Sequence, residues 1–170
     1  MKKNLLLNLV TLIILSILAG CGKLPDDTLL SNGKKFEEEE KFISAVAKYE
    51  KLVELYPNST LCPEALYRAG LIQANILQDV NTASKHFLTV VNQYKNSEYA
   101  PQAQFMIGFI YANSKPDTAK ARTAYKTFLE NYPEHELVPS VQWELKYLGK
   151  DINEIPELMS TETIGEAQAD

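Results

Sequence analysis

The chain is 170 residues long, 45% hydrophobic and 23% charged, enough for one domain with a buried core. Its 17 basic and 22 acidic residues give a net charge of −5, so it lacks the basic excess of a general nucleic-acid binder. Two cysteines cannot frame a disulfide scaffold, and two histidines leave little for a His-based metal site.

Met1 to Asn4 form a short basic stretch, and Leu5 to Ala19 are apolar apart from Asn8, Thr11 and Ser16. Fifteen such residues in a helix span about 22 Å, short of the ~30 Å hydrocarbon core of a bilayer. Residues 1–20 therefore read as a signal peptide and not as a permanent membrane helix. The stretch ends in Leu18-Ala19-Gly20-Cys21, which resembles the bacterial lipobox. The resemblance implies cleavage before Cys21, which becomes the new N-terminus, and covalent diacylglycerol and fatty acyl modification of that residue, its thiol receiving the diacylglycerol. Two or three chains anchor stably where one would be marginal. Loss of Lys2 and Lys3 with the signal takes the charge from −5 to −7. Gly22, where related lipoproteins held at the inner membrane carry Asp, implies transfer to the periplasmic face of the outer membrane. Residues 21–27 form the lipidated N-terminus and tether.

Residues 28–149 carry an internal repeat with a 38-residue period. Ala45, Ala83 and Ala121 share one register, as do Tyr49, Phe87 and Tyr125. So do Leu52, Val90 and Phe128, and then Tyr56, Tyr94 and Tyr132. Pro63, Pro101 and Pro139 follow, with Tyr67, Phe105 and Trp143 four residues later. Within a unit, Ala45, Tyr49, Leu52, Val53 and Tyr56 recur at spacings of three and four, one apolar stripe on a helix. Pro57-Asn58-Ser59 stops that helix, and Pro63 opens the next, where a missing N–H does least harm. Asp79-Val80-Asn81-Thr82 and Lys115-Pro116-Asp117-Thr118 supply the turn inside each pair. Gly70 and Gly108 lie mid-helix at a cost of about 1 kcal/mol each against Ala, so each should mark a close approach between helices. The first helix, from Asp27 to about Glu39, is expected to be degenerate, with Asn32-Gly33 replacing the glycine position imperfectly and Glu37 to Glu40 forming a solvated face.

The run Gly70, Ala83, Phe87, and more closely Gly108, Ala121, Tyr125, Pro133, resembles the tetratricopeptide (TPR) repeat. The fold expected is all-α: a TPR-like solenoid of about three helix pairs plus a final helix. The wording of the repeat is similar to envelope TPR proteins of the BamD and YbgF types. Gly149 should stop the last helix, leaving residues 150–170 as an acidic, mobile tail with six acids and no base from Asp151 onward.

No G-x-S-x-G, P-loop, H-E-x-x-H or dinucleotide fingerprint occurs. Cys62 aligns with Ala100 and Val138 and is expected to fill a small apolar slot. His86 aligns with Lys48 and Ala124, predicting an outer face, and His135 takes the turn position of Ser59 and Ser97. No catalytic residue, metal or small-molecule substrate is expected. The TPR resemblance implies a peptide-binding face on the first helix of each pair, with Tyr67, Asn75, Phe105, Phe109, Asn113 and Trp143 as its candidates. Whether Tyr67, Phe105 and Trp143 line a groove or fill the core is open at this stage. The expected partners are envelope or outer-membrane proteins, captured by a peptide segment, and the membrane itself through the anchor. Three roles for such an adaptor follow from the resemblance: β-barrel assembly, Tol–Pal and division-associated work, or pilotin-like escort. An envelope enzyme using Cys62 is the alternative from another class.

Overall fold

A computed structural model describes residues 23–155 except 115. The signal peptide and Cys21 lie outside the described residues, as do residues 156–170 of the acidic tail. Among the described residues there are helices and no strand. In chain order they are α1 (Asp26–Glu38), α2 (Phe42–Leu55), α3 (Cys62–Asn75), α4 (Val80–Gln93), α5 (Tyr99–Phe109), α6 (Thr118–Asn131) and α7 (Val138–Tyr147). A π-helical turn, Ile110–Ser114, extends α5, and a 3-10 turn spans Ile152–Glu154.

Consecutive helices pack as α1/α2, α3/α4 and α5/α6, and α7 closes the series. The TPR-like solenoid of three hairpins and a final helix is thus present as the sequence predicts. Each second helix also packs on the following first helix, and α3 touches α5 directly, so the first helices form a layer of their own.

The repeat exists because of what it buries. Ala45, Ala83 and Ala121 are wholly buried, and so are Tyr49, Phe87 and Tyr125, and Leu52, Val90 and Phe128. A small, an aromatic and a further apolar position thus recur once per second helix. The glycine of each first helix makes room for the ring. A Cβ on Gly70 would lie 2.6 Å from Phe87, and one on Gly108 would lie under 3.0 Å from Tyr125. Gly33 stands in the same relation to Tyr49. The first unit is therefore not imperfect at this position, contrary to the sequence expectation. Its glycine is out of register because the turn after it is shorter. That turn closes with Lys41 N–H donating to Phe36 O, five residues back. The later turns close over six, from Asp79 to Gln73 and from Asp117 to Tyr111.

Helix boundaries differ from the expectation in ways that caps explain. The turns end at Asp79 and Asp117, whose carboxylates accept from the N–H groups of Thr82 and Lys120. Val80 to Thr82 are accordingly the first turn of α4. At the front, α1 takes in Asp26 and Asp27, acids that suit the positive end of a helix dipole. Pro63 and Pro139 lie within the first two positions of α3 and α7, where no N–H is missed. Gly149 adopts φ +82° and ends the last helix, as expected. Chain packing continues a little further, because Ile155 is buried after the 3-10 turn.

Candidate functional site

The layer of first helices presents two aromatic rows set by the period. Tyr67, Phe105 and Trp143 form one row, with Leu71, Phe109 and Tyr147 one turn further along each helix. Tyr67 is half-buried: its ring lies 5.8 Å from Phe87 and 5.6 Å from Tyr99, the latter at the start of the next first helix. Phe105 stacks on Phe109 at 6.4 Å and on Tyr125 at 5.9 Å. Trp143 packs on Tyr147 at 5.1 Å. Exposure rises along the first row to 42% at Trp143, whereas in the second row Phe109 is 38% exposed and Tyr147 is buried. The alternatives of core and groove are thus divided along the chain. Tyr67 packs between hairpins, while Phe109 and Trp143 open to solvent.

The amide candidates sit at the ends of the first helices. Asn75 is exposed as the last residue of α3. Asn113 is exposed in the π-turn, where its side-chain NH₂ donates to Phe109 O at 3.0 Å. Next to Asn75 is a recess of about 260 Å³ lined by Glu37, Phe42, Arg68, Leu71, Ile72 and Ile76 as well.

An ion network closes the other end of the layer. Lys34 meets Glu64 at 2.7 Å, and Arg68 reaches both Glu64 and Glu37 at 2.9 Å. Burial pushes the Glu64 carboxyl up, but the hydrogen bonds and charges of Lys34 and Arg68 outweigh it and hold the group below its usual range. Glu37 is therefore an interhelical ion-pair partner and half-buried, which corrects its assignment to a wholly solvated face. The sequence holds a trace of this network in the Glu64–Arg68 spacing of four, but Lys34 and Glu37 meet it only across helices.

The remaining candidates for chemistry are structural. Cys62 is fully buried, its thiol donating to Tyr56 O at 3.0 Å. Burial pushes that thiol up, the opposite of what a nucleophile needs. His135 does stand where Ser59 stands in its turn: its Nδ1 accepts from Leu137 N–H at 3.1 Å, as Ser59 Oγ accepts from Leu61 N–H. His86 departs from expectation. It is not on an outer face; its side chain is only 12% exposed, between α2 and α4, with Nε2 3.4 Å from Glu50. Burial lowers its pKa, with Glu50 opposing. Its alignment with Lys48 misled because a long lysine can reach water from a position where imidazole stays covered. Among the described residues no cluster of His, Cys, Asp and Glu could hold a metal ion, and no helix is long and apolar enough to cross a membrane.

Residues 62–145 match the family model YfiO, described as outer membrane lipoprotein. Over that span the chain is YfiO-like. The similarity agrees with the BamD-like TPR resemblance of the repeats and points to the cell envelope. The YfiO-like span runs from the start of α3 into α7 and so contains both aromatic rows except Tyr147; Lys34 and Glu37 lie before it. No curated protein matches the chain.

Proposed function

We propose that the protein is a lipid-anchored TPR adaptor of the bacterial envelope, acting at the periplasmic face of the outer membrane in β-barrel assembly. Acylation at Cys21 holds the solenoid at the membrane and raises its effective concentration near membrane-bound partners. The layer of first helices then captures a protein segment without covalent chemistry. The observation that carries the reading is the exposed aromatic pair Phe109 and Trp143, on the same helix layer and inside the YfiO-like span. Aromatic side chains at the centre of a contact surface are the common energetic anchors of protein recognition. Asn75 and Asn113 stand one to two turns from that row, and the Asn75 carboxamide can bond a bound peptide backbone. The adaptor reading does not require a catalytic group, metal or small-molecule substrate.

The test is photo-crosslinking in living cells from residues 109 and 143, with identification of the captured protein. A component of the outer-membrane barrel-assembly machinery is the expected catch. Capture of Tol–Pal components or of a secretin would replace this role with the division-associated or the pilotin-like one. If neither residue crosslinks to an envelope protein, the adaptor reading fails.

A further inference from the structure

The solenoid has two edges. One is formed by the turns that follow the second helices, 56–61, 94–99 and 132–137, and the other by the turns inside the hairpins, 39–41, 76–79 and 116–117. The chain enters α1 at the first of these edges and is clasped there. Tyr56 Oη donates to Leu24 O at 2.9 Å, and Ser59 Oγ donates to the Asp26 carboxylate at 2.6 Å. Tyr94 repeats the device one unit on, its hydroxyl donating to Pro57 O at 2.8 Å and so joining the two turns. Between them is an open cleft of about 670 Å³ whose rim includes Asn58, Thr60, Lys95, Asn96 and Glu98.

The two edges differ in distance from the tether. On the near edge, residues 57–60 carry no charge, Lys95 and Glu98 balance one another, and the third turn carries Glu134 and Glu136. The opposite edge of the first hairpin carries Glu38, Glu39 and Glu40, all exposed, against Lys41. From Leu24 to Cys21 an extended chain reaches about 11 Å, whereas α1, with 13 residues, separates the edges by about 20 Å. An acyl chain on Cys21 therefore brings the near edge of the first hairpin to the lipid surface, with the far edge about 20 Å further out.

We propose that the inter-hairpin edge, turns 56–61 and 94–99, is a membrane-apposed surface. It is held against lipid headgroups by the Tyr56–Leu24 and Ser59–Asp26 clasp, with the far edge turned toward the periplasm. The proposal rests on acylation of Cys21. The same placement sets the polar cleft at headgroup level and keeps Phe109 and Trp143 off the bilayer.

The experiment uses the mature acylated protein in vesicles of phosphatidylethanolamine and phosphatidylglycerol that carry a headgroup-attached quencher. Fluorophores are placed by Asn58→Cys, Asn96→Cys, Asn81→Cys and Lys51→Cys; the parent thiols are out of reach, Cys62 by burial and Cys21 by acylation. Helical circular dichroism is checked for each variant. With edges about 20 Å apart, quenching at 58 and 96 should exceed that at 81 about threefold or more. Tyr56→Phe with Ser59→Ala should narrow that ratio. Mass spectrometry of Cys21 and vesicle flotation separate the two ideas. Unacylated protein that stays off vesicles overturns the anchor reading. Acylated, bound protein with equal quenching at all four sites, or with the strongest at 81 or 51, overturns the orientation alone.

Discussion

The junction between the first and second hairpins and the junction between the third hairpin and α7 solve the same stacking problem differently. At the first, Arg68 and Lys34 tie α3 to α1 through Glu37 and Glu64, and Tyr67 of the same α3 lies half-buried under the third hairpin. At the second, α7 packs through Val141, Tyr147 and the half-buried Glu144, and the equivalent of Tyr67, Trp143, remains open. Burial pushes the Glu144 carboxyl up, with the Tyr125 hydroxyl opposing. The same repeat position is thus packing at one end of the layer and surface at the other. The difference lies in what stacks on it, since Tyr99 covers Tyr67 and no further hairpin follows α7 among the described residues.

Substitutions can break that contrast or sharpen it. The largest effect should come from the shared interior: Phe87→Ala removes a wholly buried ring and should cost about 3–5 kcal/mol in denaturant unfolding. Tyr67→Ala should cost about 2 kcal/mol, since a half-buried ring loses both packing and two ring contacts. Trp143→Ala should leave the unfolding midpoint nearly unchanged while weakening partner crosslinking from residue 109. Equal stability losses for Tyr67→Ala and Trp143→Ala would erase the contrast. Arg68→Ala should cost about 1 kcal/mol at low salt, and less as salt is added, because the guanidinium is partly exposed.

The smallest effect concerns pH. Burial holds the folded pKa of His86 below the ordinary imidazole value of about 6.5, so its neutral form is the one the fold favours. Stability should be complete above that value and fall as pH drops through it, because the unfolded chain takes up the proton first. His86→Gln should flatten this slope between about pH 7 and pH 5 in thermal unfolding. An unchanged slope would place the titration elsewhere.

Much of the fold was legible because it is written three times. Nine wholly buried positions of the second helices recur in register, small at Ala45, Ala83 and Ala121, aromatic at Tyr49, Phe87 and Tyr125, and apolar of varying size at Leu52, Val90 and Phe128. Turn chemistry was legible in type but not in extent, since Asp79 serves as a cap and not as a turn residue. Gly33 was misjudged because a one-residue shortening of the first turn moves it out of register while its ring contact persists. The candidate site was legible as a set of residues on one layer. Its gradient of exposure was not, because what covers a side chain depends on the next hairpin and not on its own. The ion network was missed for a like reason, as Arg68 and Glu37 are 31 residues apart.

Each ring rests on a glycine of its own hairpin, Tyr49 on Gly33, Phe87 on Gly70 and Tyr125 on Gly108. This close fit is thus completed inside a single unit before any neighbour is added. A duplication or deletion of one whole unit would leave every such seat intact, so the scaffold can change its length, and with it the span of partner it reaches, without redesign of its interior.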